Sequence, residues 1–327
     1  MAKSAKGRPV HGVVLVNKPP GRTSNALVSR IKYLTKARRV GHTGALDPMA
    51  TGVLPIVFGF ATRFSQYGLD ADKAYETLVQ LGVSTTTQDA EGEVMETCPV
   101  PTFTDAEIEA VLSRFRGVID QRPPAYSALK KDGKRWYRLA RAGVEFERPT
   151  RSVTISALTR LAYDEAAATL RLQVRCSKGT YIRALAQDIG DALGVGGHVA
   201  ELTRTAVGQD TLAEAVEWPV LESALMADPT AIDAWLRPID TLVVELPRLE
   251  VSLEDAFLLS QGQKLFRNNM DPCHTIAVFA SEQGFLGICS VDEDGRLCPR
   301  RMLASVATGM RGDAGIGPFG SGMPTEE

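Results

Sequence analysis

The stretch TLRLQVRCSKGTYIRALAQDIGDALG, Thr169 to Gly194, joins the two periods from which the fold is read. Its first residues alternate Leu170, Leu172 and Val174 against Arg171, Gln173 and Arg175, the pattern of a strand with one face buried. From Thr180 the period changes. Ile182, Leu185, Ala186, Ile189 and Leu193 recur on one helical stripe, and Gly194 stops it. With Thr180 as the cap, Tyr181 and Arg183 fall in the first turn, at the end of the helix that favours anions.

Outward from this strand–helix pair the same two periods recur. A helix is predicted from Ser24 to about Lys36 on Leu27, Val28, Ile31 and Leu34, and another from Thr104, where Glu107 completes a capping box, to Gly117. Strands are predicted over Gly12 to Val16, Ala74 to Leu81 and Ser152 to Leu161. Strands interleaved with helices and joined by hairpin-like turns favour an α/β (α+β) fold, with helices packed on a mixed or antiparallel sheet. A boundary is expected between Trp218 and Pro247, where Pro219, Pro229, Pro238 and Pro247 punctuate the chain. Beyond it a helix, Leu253 to Gln261, and strands near Thr275 to Ala280, Phe285 to Val291 and Leu297 to Leu303 suggest a small β-rich module. The expected organisation is a flexible basic N-terminus (1–10), a large domain (11–246), the small domain (247–306) and a disordered tail (307–327), since six glycines occur in the last 19 residues.

A hydrophobic content of 44% with 23% charged residues is that of a soluble globular protein, and no run reaches membrane-spanning length or forms a signal peptide, so the cytoplasm is the expected location. Five scattered cysteines without a Cys-x-x-Cys pair argue against a disulfide framework or a zinc site. The formal charge of −2 conceals an asymmetry: residues 1–70 hold 11 Lys or Arg against 2 Asp or Glu, and residues 121–160 hold 10 against 3. Such blocks form a localised footprint for phosphate, or else a solvated basic face.

Between them lies GHTGALDPMATGVLPIVFG, Gly41 to Gly59, with a single acid, Asp47, among small residues. Small residues let backbone approach a ligand, and Pro48 biases Asp47 toward an extended conformation. An ordinary Asp-Pro surface turn is the competing reading.

This segment resembles the aspartate motif of the bacterial TruB-type pseudouridine synthases, the family that modifies uridine 55 in the T loop of tRNA. Four more motifs follow the family's order: VNKPPGRTSN (Val16 to Asn25), DKAYE (Asp72 to Glu76), PPAYSALKKDGKRWYRLAR (Pro123 to Arg141), and CSKGTYIRALAQDIG (Cys176 to Gly190) with HVAELTRTAVG (His198 to Gly208). The resemblance implies the pseudouridine synthase fold with a C-terminal PUA-like RNA-binding domain. It implies isomerisation of uridine without a cofactor or metal, by a monomer acting on the T-arm stem-loop of tRNA.

By the same resemblance Asp47 is the nucleophile or charge stabiliser, attacking ribose C1′ or base C6 or assisting elimination, and Arg183 is its ion-pair partner. Tyr75 stacks on the extruded uracil near the proton to be lost, Tyr181 packs from the other side, and Leu202 lines the uracil pocket. His42 fills the space left by the flipped base, with general base and metal ligand as competing roles; His11, His42, His198 and His274 show no ligand spacing. Lys18, Lys130, Lys134 and Arg141, with Arg138, are candidates for phosphate contacts, and Trp136 and Tyr137 interleave aromatic surface with that charge. The glycines of LGVGG, Leu193 to Gly197, follow a helix and make no dinucleotide fingerprint. An RNA-binding protein that assists tRNA folding is the alternative, and a small-nucleoside hydrolase would not need the basic block at 130–141.

Overall fold

The computed structural model describes residues 7–127, 129–131, 134–267, 270–281 and 283–303. The chain divides into two units, Met1–Leu242 and Val243–Glu327.

In the first unit an apolar run forms β1, Gly12–Lys18. Thr23, whose side chain accepts from the Ala26 amide, caps α1, Ser24–Thr35, and the stripe of Leu27, Ile31 and Leu34 is buried. Then β2, Val40–His42, runs antiparallel to β3, Thr51–Phe58. After the short α2, Ser65–Asp70, comes β4, Lys73–Leu81, which buries every second residue. A separate hairpin is made by β5, Val83–Thr85, and β6, Val94–Thr97. The capping box of Thr104 and Glu107 starts α3, Asp105–Ser113, and β7, Gly117–Gln121, follows. The basic segment holds β8, Lys130–Lys131, β9, Lys134–Arg135, and α4, Trp136–Arg141. The unit continues through β10, Arg151–Asp164, β11, Thr169–Cys176, α5, Ile182–Ala192, and β12, Gly197–Val207. It closes with β13, Asp210–Thr211, β14, Val216–Glu217, and α6, Trp218–Ala227.

Ten of these strands form one sheet in the order β14-β1-β3-β12-β4-β11-β10-β7, with β2 beside β3 and β13 beside β12. The sheet is mixed: β1–β14 and β3–β12 pair in parallel and the other pairs are antiparallel. The late strand β12 therefore separates β3 from β4. Its crossing with β3 depends on Gly52, whose φ of +103° suits only glycine and whose Cβ, if present, would lie 2.2 Å from the Arg204 carbonyl oxygen. One core packs α3 and α5 against β4, β11 and β12 through Val79, Leu112, Leu172, Val174, Leu185 and Ile189. Another packs α1 and α6 against β1 and β3 through Leu27, Ile31, Val14, Ile56, Trp218 and Leu221.

Two expectations change, and one is located. Residues 8–10 are fixed, not flexible: Val10 is buried, and Arg8 bonds the Asp233 carboxylate at 3.0 Å. The boundary expected between Trp218 and Pro247 falls between Leu242 and Val243; ahead of it Pro219 sits in the first turn of α6, where a missing N–H costs nothing, and Trp218, Leu221, Leu225 and Ile232 enter the core. Finally, α5 starts at Ile182 with Tyr181 as its cap residue, because the Thr180 hydroxyl donates to the Ser177 carbonyl at 2.9 Å and caps nothing.

The second unit contains β15, Arg248–Val251, α7, Leu253–Ser260, β16, Leu265–Phe266, β17, Cys273–Ala280, β18, Gly284–Val291, and β19, Arg296–Met302. Its five strands form a sheet in the order β15-β17-β18-β19-β16, and its core includes Ala256, Leu259, Val278, Leu286 and Leu297. The tail at 307–327 lies outside the described residues.

Candidate active site

Asp47 stands in the loop between β2 and β3, and that loop is tied down on every side. The Ser24 hydroxyl, at the start of α1, accepts from the Leu46 amide at 2.8 Å and donates to the Leu46 carbonyl at 3.1 Å. The Gly21 amide and the Lys18 ammonium both donate to the Pro48 carbonyl, at 2.9 and 3.0 Å. Leu46 and Ala50, flanking Asp47, pack in one cluster with Tyr75 of β4 and Leu202 of β12. The aspartate loop, a tyrosine and a leucine thus converge from three parts of the sheet.

The Asp47 side chain is 38% exposed, whereas Arg183, in the first turn of α5, is only 4% exposed. Arg183 grips the carboxylate with Nε 2.8 Å from Oδ2 and Nη2 donating to Oδ1 at 3.3 Å. Its Nη1 donates to the Thr87 carbonyl at 2.7 Å and lies 3.5 Å from the Asp89 carboxylate, and Nη2 also donates to the Tyr126 carbonyl at 3.0 Å. A cation at a helix start opposes the dipole, and a buried cation costs free energy unless paired; two carboxylates offset both. The turn that aims the Thr87 carbonyl and Asp89 at Arg183 contains Gln88 at φ +63°, a left-handed conformation uncommon outside glycine. Burial, together with the charges of Asp89 and Asp47, raises the Glu91 carboxyl above the usual range.

Tyr75 lies opposite Arg204 in the β4–β12 register, and both are buried. Burial raises the Tyr75 phenol, against the electrostatic pull of Arg204 across the ladder. His42, half-buried at the end of β2, accepts from the Gly44 amide through Nδ1 at 3.1 Å, so its ring is neutral there. Burial first, and Arg204 second, hold His42 below its ordinary 6.5. Tyr181 is half-buried, which raises its phenol, and its peptide is clamped by the buried Gln121 amide: Oε1 accepts from the Tyr181 N–H at 2.7 Å and Nε2 donates to its carbonyl at 3.0 Å.

The phosphate candidates divide. Lys18 is 0% exposed and spends its three protons on the carbonyls of Pro19, Arg22 and Pro48 at 2.8, 2.7 and 3.0 Å, so it is not a surface phosphate contact but a clamp on the loop. Burial lowers its pKa to about 8 in spite of Asp47 and Glu91 nearby. Trp136 is likewise buried, against Phe146 with ring centroids 5.2 Å apart, and offers no aromatic surface. Arg138 is exposed, and the Arg141 guanidinium lies 5.9 Å from the half-buried Tyr137 ring. Lys130 and Lys134 form part of a short hairpin, and their side chains lie outside the described residues. Sequence reasoning missed Ser24, Asp89, Gln121 and Arg204. Only Arg204 left a periodic signal, since it shares the buried parity of Leu202 on β12.

Comparison with known proteins gives the same family over nearly the whole chain. Residues 32–182 match the model described as TruB family pseudouridylate synthase (N terminal domain). Residues 183–244 match tRNA pseudouridylate synthase B C-terminal domain, and residues 247–303 match Pseudouridine synthase II TruB, C-terminal. A protein named tRNA pseudouridine synthase B from Ectopseudomonas mendocina (strain ymp) is 51% identical over 297 residues, covering 90% of this chain and 96% of its own length. One of the same name from Pseudomonas fluorescens (strain Pf0-1) is 50% identical over 299 residues, covering 91% and 97%. A solved structure entitled Crystal Structure of a Cbf5-Nop10-Gar1 Complex superposes with a TM-score of 0.70 at 22% identity, covering 92% of each chain, a likeness of fold.

Proposed function

The chain belongs to the TruB family of pseudouridylate synthases, and from that premise we propose that it isomerises uridine 55 in the T loop of tRNA to pseudouridine, with Asp47 as the essential carboxylate. The observation that carries this reading is the half-exposed Asp47 carboxylate held side-on by buried Arg183, with Tyr75 and Leu202 packed against its loop. The reaction breaks the N1–C1′ bond, turns the base over and joins C5 to C1′, with no net redox change and no hydrolysis. A carboxylate paired with and oriented by a buried arginine suits attack on C1′ or C6, or assistance to elimination. Tyr75 supplies the ring on which the uracil stacks and an oxygen near C5, while Tyr181 packs on the other side of the nucleotide.

The target uridine is extruded from the T loop at a cost of a few kcal/mol, and neutral His42 takes its place in the stack. The basic segment with Lys130, Lys134 and Arg141 contacts phosphates, and the second unit adds RNA-binding surface. The enzyme works as a monomer in the cytoplasm without cofactor. Among the described residues, no helix is long and apolar enough to cross a membrane.

Tritium release from C5-labelled uridine in an unmodified T-arm stem-loop tests the proposal. Asp47→Asn, nearly isosteric but unable to act as the nucleophile, is expected to abolish release while RNA affinity stays within about tenfold. Release above a few per cent of the native rate would remove Asp47 from its role. A protein that only assists tRNA folding would keep its effect in this variant.

A further inference from the structure

Arg204 is the largest fully buried side chain of the described protein, 1% exposed, and unlike Arg183 it has no carboxylate within ion-pair distance among the described residues. Its Nε donates to the Val53 carbonyl at 2.7 Å, its Nη2 to the Gly44 carbonyl at 3.1 Å and its Nη1 to the Ala45 carbonyl at 3.5 Å. The remaining polar partner is the Tyr75 phenol, directly across the β4–β12 ladder. Three carbonyl dipoles only partly compensate a guanidinium taken out of water; a full counter-charge would stabilise it far more. Among the described residues, the acidic side chain that faces it is Tyr75, its cross-strand neighbour.

We propose that Arg204 is the positioning residue of Tyr75: it fixes the phenol oxygen in the pocket and supplies the positive charge against which Tyr75 acts as a phenolate base for the C5 proton. This rests on the reading of the site as a uridine isomerase. At that step the C5–H bond breaks, its electron pair becomes the C5=C6 double bond as the C6=N1 pair moves onto N1, which takes a proton from solvent, and the C5 proton passes to a Tyr75 oxygen that has already given its own to solvent. Burial, with Cys176 and Asp47 nearby, disfavours the phenolate, and Arg204 is the group that opposes them. The two Nη groups of the same guanidinium donate to the Gly44 and Ala45 carbonyls, so the base and the Asp47 loop are registered on one rigid fork.

The test is a double-mutant cycle read by tritium release under single turnover between pH 6 and 8, on the full chain with the T-arm stem-loop. Arg204→Lys keeps the charge but cannot reach all four acceptors, and is expected to slow release by about 30- to 300-fold with RNA affinity within about threefold. In a Tyr75→Phe background the same change is expected to cost at least tenfold less, because its target oxygen is gone. Equal losses in both backgrounds would make Arg204 purely structural and overturn the proposal. A second measurement needs no change at Arg204: fluorotyrosine placed at position 75, with its more acidic phenol, is expected to accelerate release in the otherwise native enzyme, and no acceleration across this pH range overturns the phenolate even if Arg204→Lys fails to fold. Failure of the native protein to release tritium at all would instead sink the isomerase reading.

Discussion

Replacing Lys18 by methionine separates a loop clamp from a phosphate contact. The ammonium makes three hydrogen bonds to buried carbonyls, each worth about 1.5–3 kcal/mol when the donor is charged. Against this, a pKa lowered from 10.5 to about 8 means that burial of the charge already costs about 3 kcal/mol, which the substitution recovers. The net destabilisation is then about 1.5–6 kcal/mol, or about 3–24 °C in Tm for a unit of this size. Because one bonded carbonyl belongs to Pro48, next to Asp47, the loop loses its placement, and about 10- to 100-fold in single-turnover rate goes with it. RNA affinity and its salt slope are expected to stay unchanged, whereas loss of a phosphate-binding lysine would reduce that slope by about 1. The sign of the pH effect follows from the depressed folded pKa. The unfolded chain keeps this proton up to about 10.5, so between 8 and 10.5 it binds more protons, and the Lys18 contribution to stability rises with pH in that window and is flat below it. Thermal melts of both proteins from pH 7 to 10.5, tritium release and filter binding measure all of this. An unchanged Tm with weakened, less salt-dependent RNA binding would refute the reasoning.

Tyr75→Phe is expected to slow single-turnover tritium release by at least about 100-fold while leaving affinity within about threefold, and equal losses in rate and affinity would reduce the residue to packing. The His42 ring should titrate below 6.5 by NMR; His42→Phe should keep most of the activity and His42→Ala lose about ten- to a hundredfold, whereas equal damage in both would mark a general base. RNA affinity should fall steeply between low and physiological salt, and charge reversal at Lys130 and Lys134 should flatten that slope; a slope unchanged by the reversal would exclude those lysines as contacts. Gly52→Ala places a methyl group 2.2 Å from the Arg204 carbonyl oxygen at a backbone φ of +103°, so a Tm within 1 °C of native would contradict the close crossing of β3 and β12.

Periodicity made the fold legible wherever one face is buried. The stripe of α1, the alternation of β4 and β11 and the capping box of α3 are local facts of sequence. Arg183 was legible through its motif, and the structure brings it to Asp47. Lys18 was misjudged because a lysine is normally solvated, although it shares the parity of Val14 and Val16 on β1 and is buried with them. Asp89 left no signal, since a turn has no period and its meaning depends on a guanidinium far along the chain. The prolines between Trp218 and Pro247 marked the stretch in which the two units divide, although Pro219 itself opens a helix.

The place of β12 has a consequence for synthesis. As the chain leaves the ribosome, β3 and β4 emerge early, yet neither pairs with the other, and the strand that joins them comes more than a hundred residues after β4. Until then both carry an unpaired edge, the kind of surface on which nascent chains misassemble. Asp47 and Tyr75 likewise wait for Arg183 and Arg204. A chain truncated before α5 would thus hold a carboxylate and a phenol without the cations that organise them; α5 brings Arg183 first, and β12 then brings Arg204 and seals the sheet.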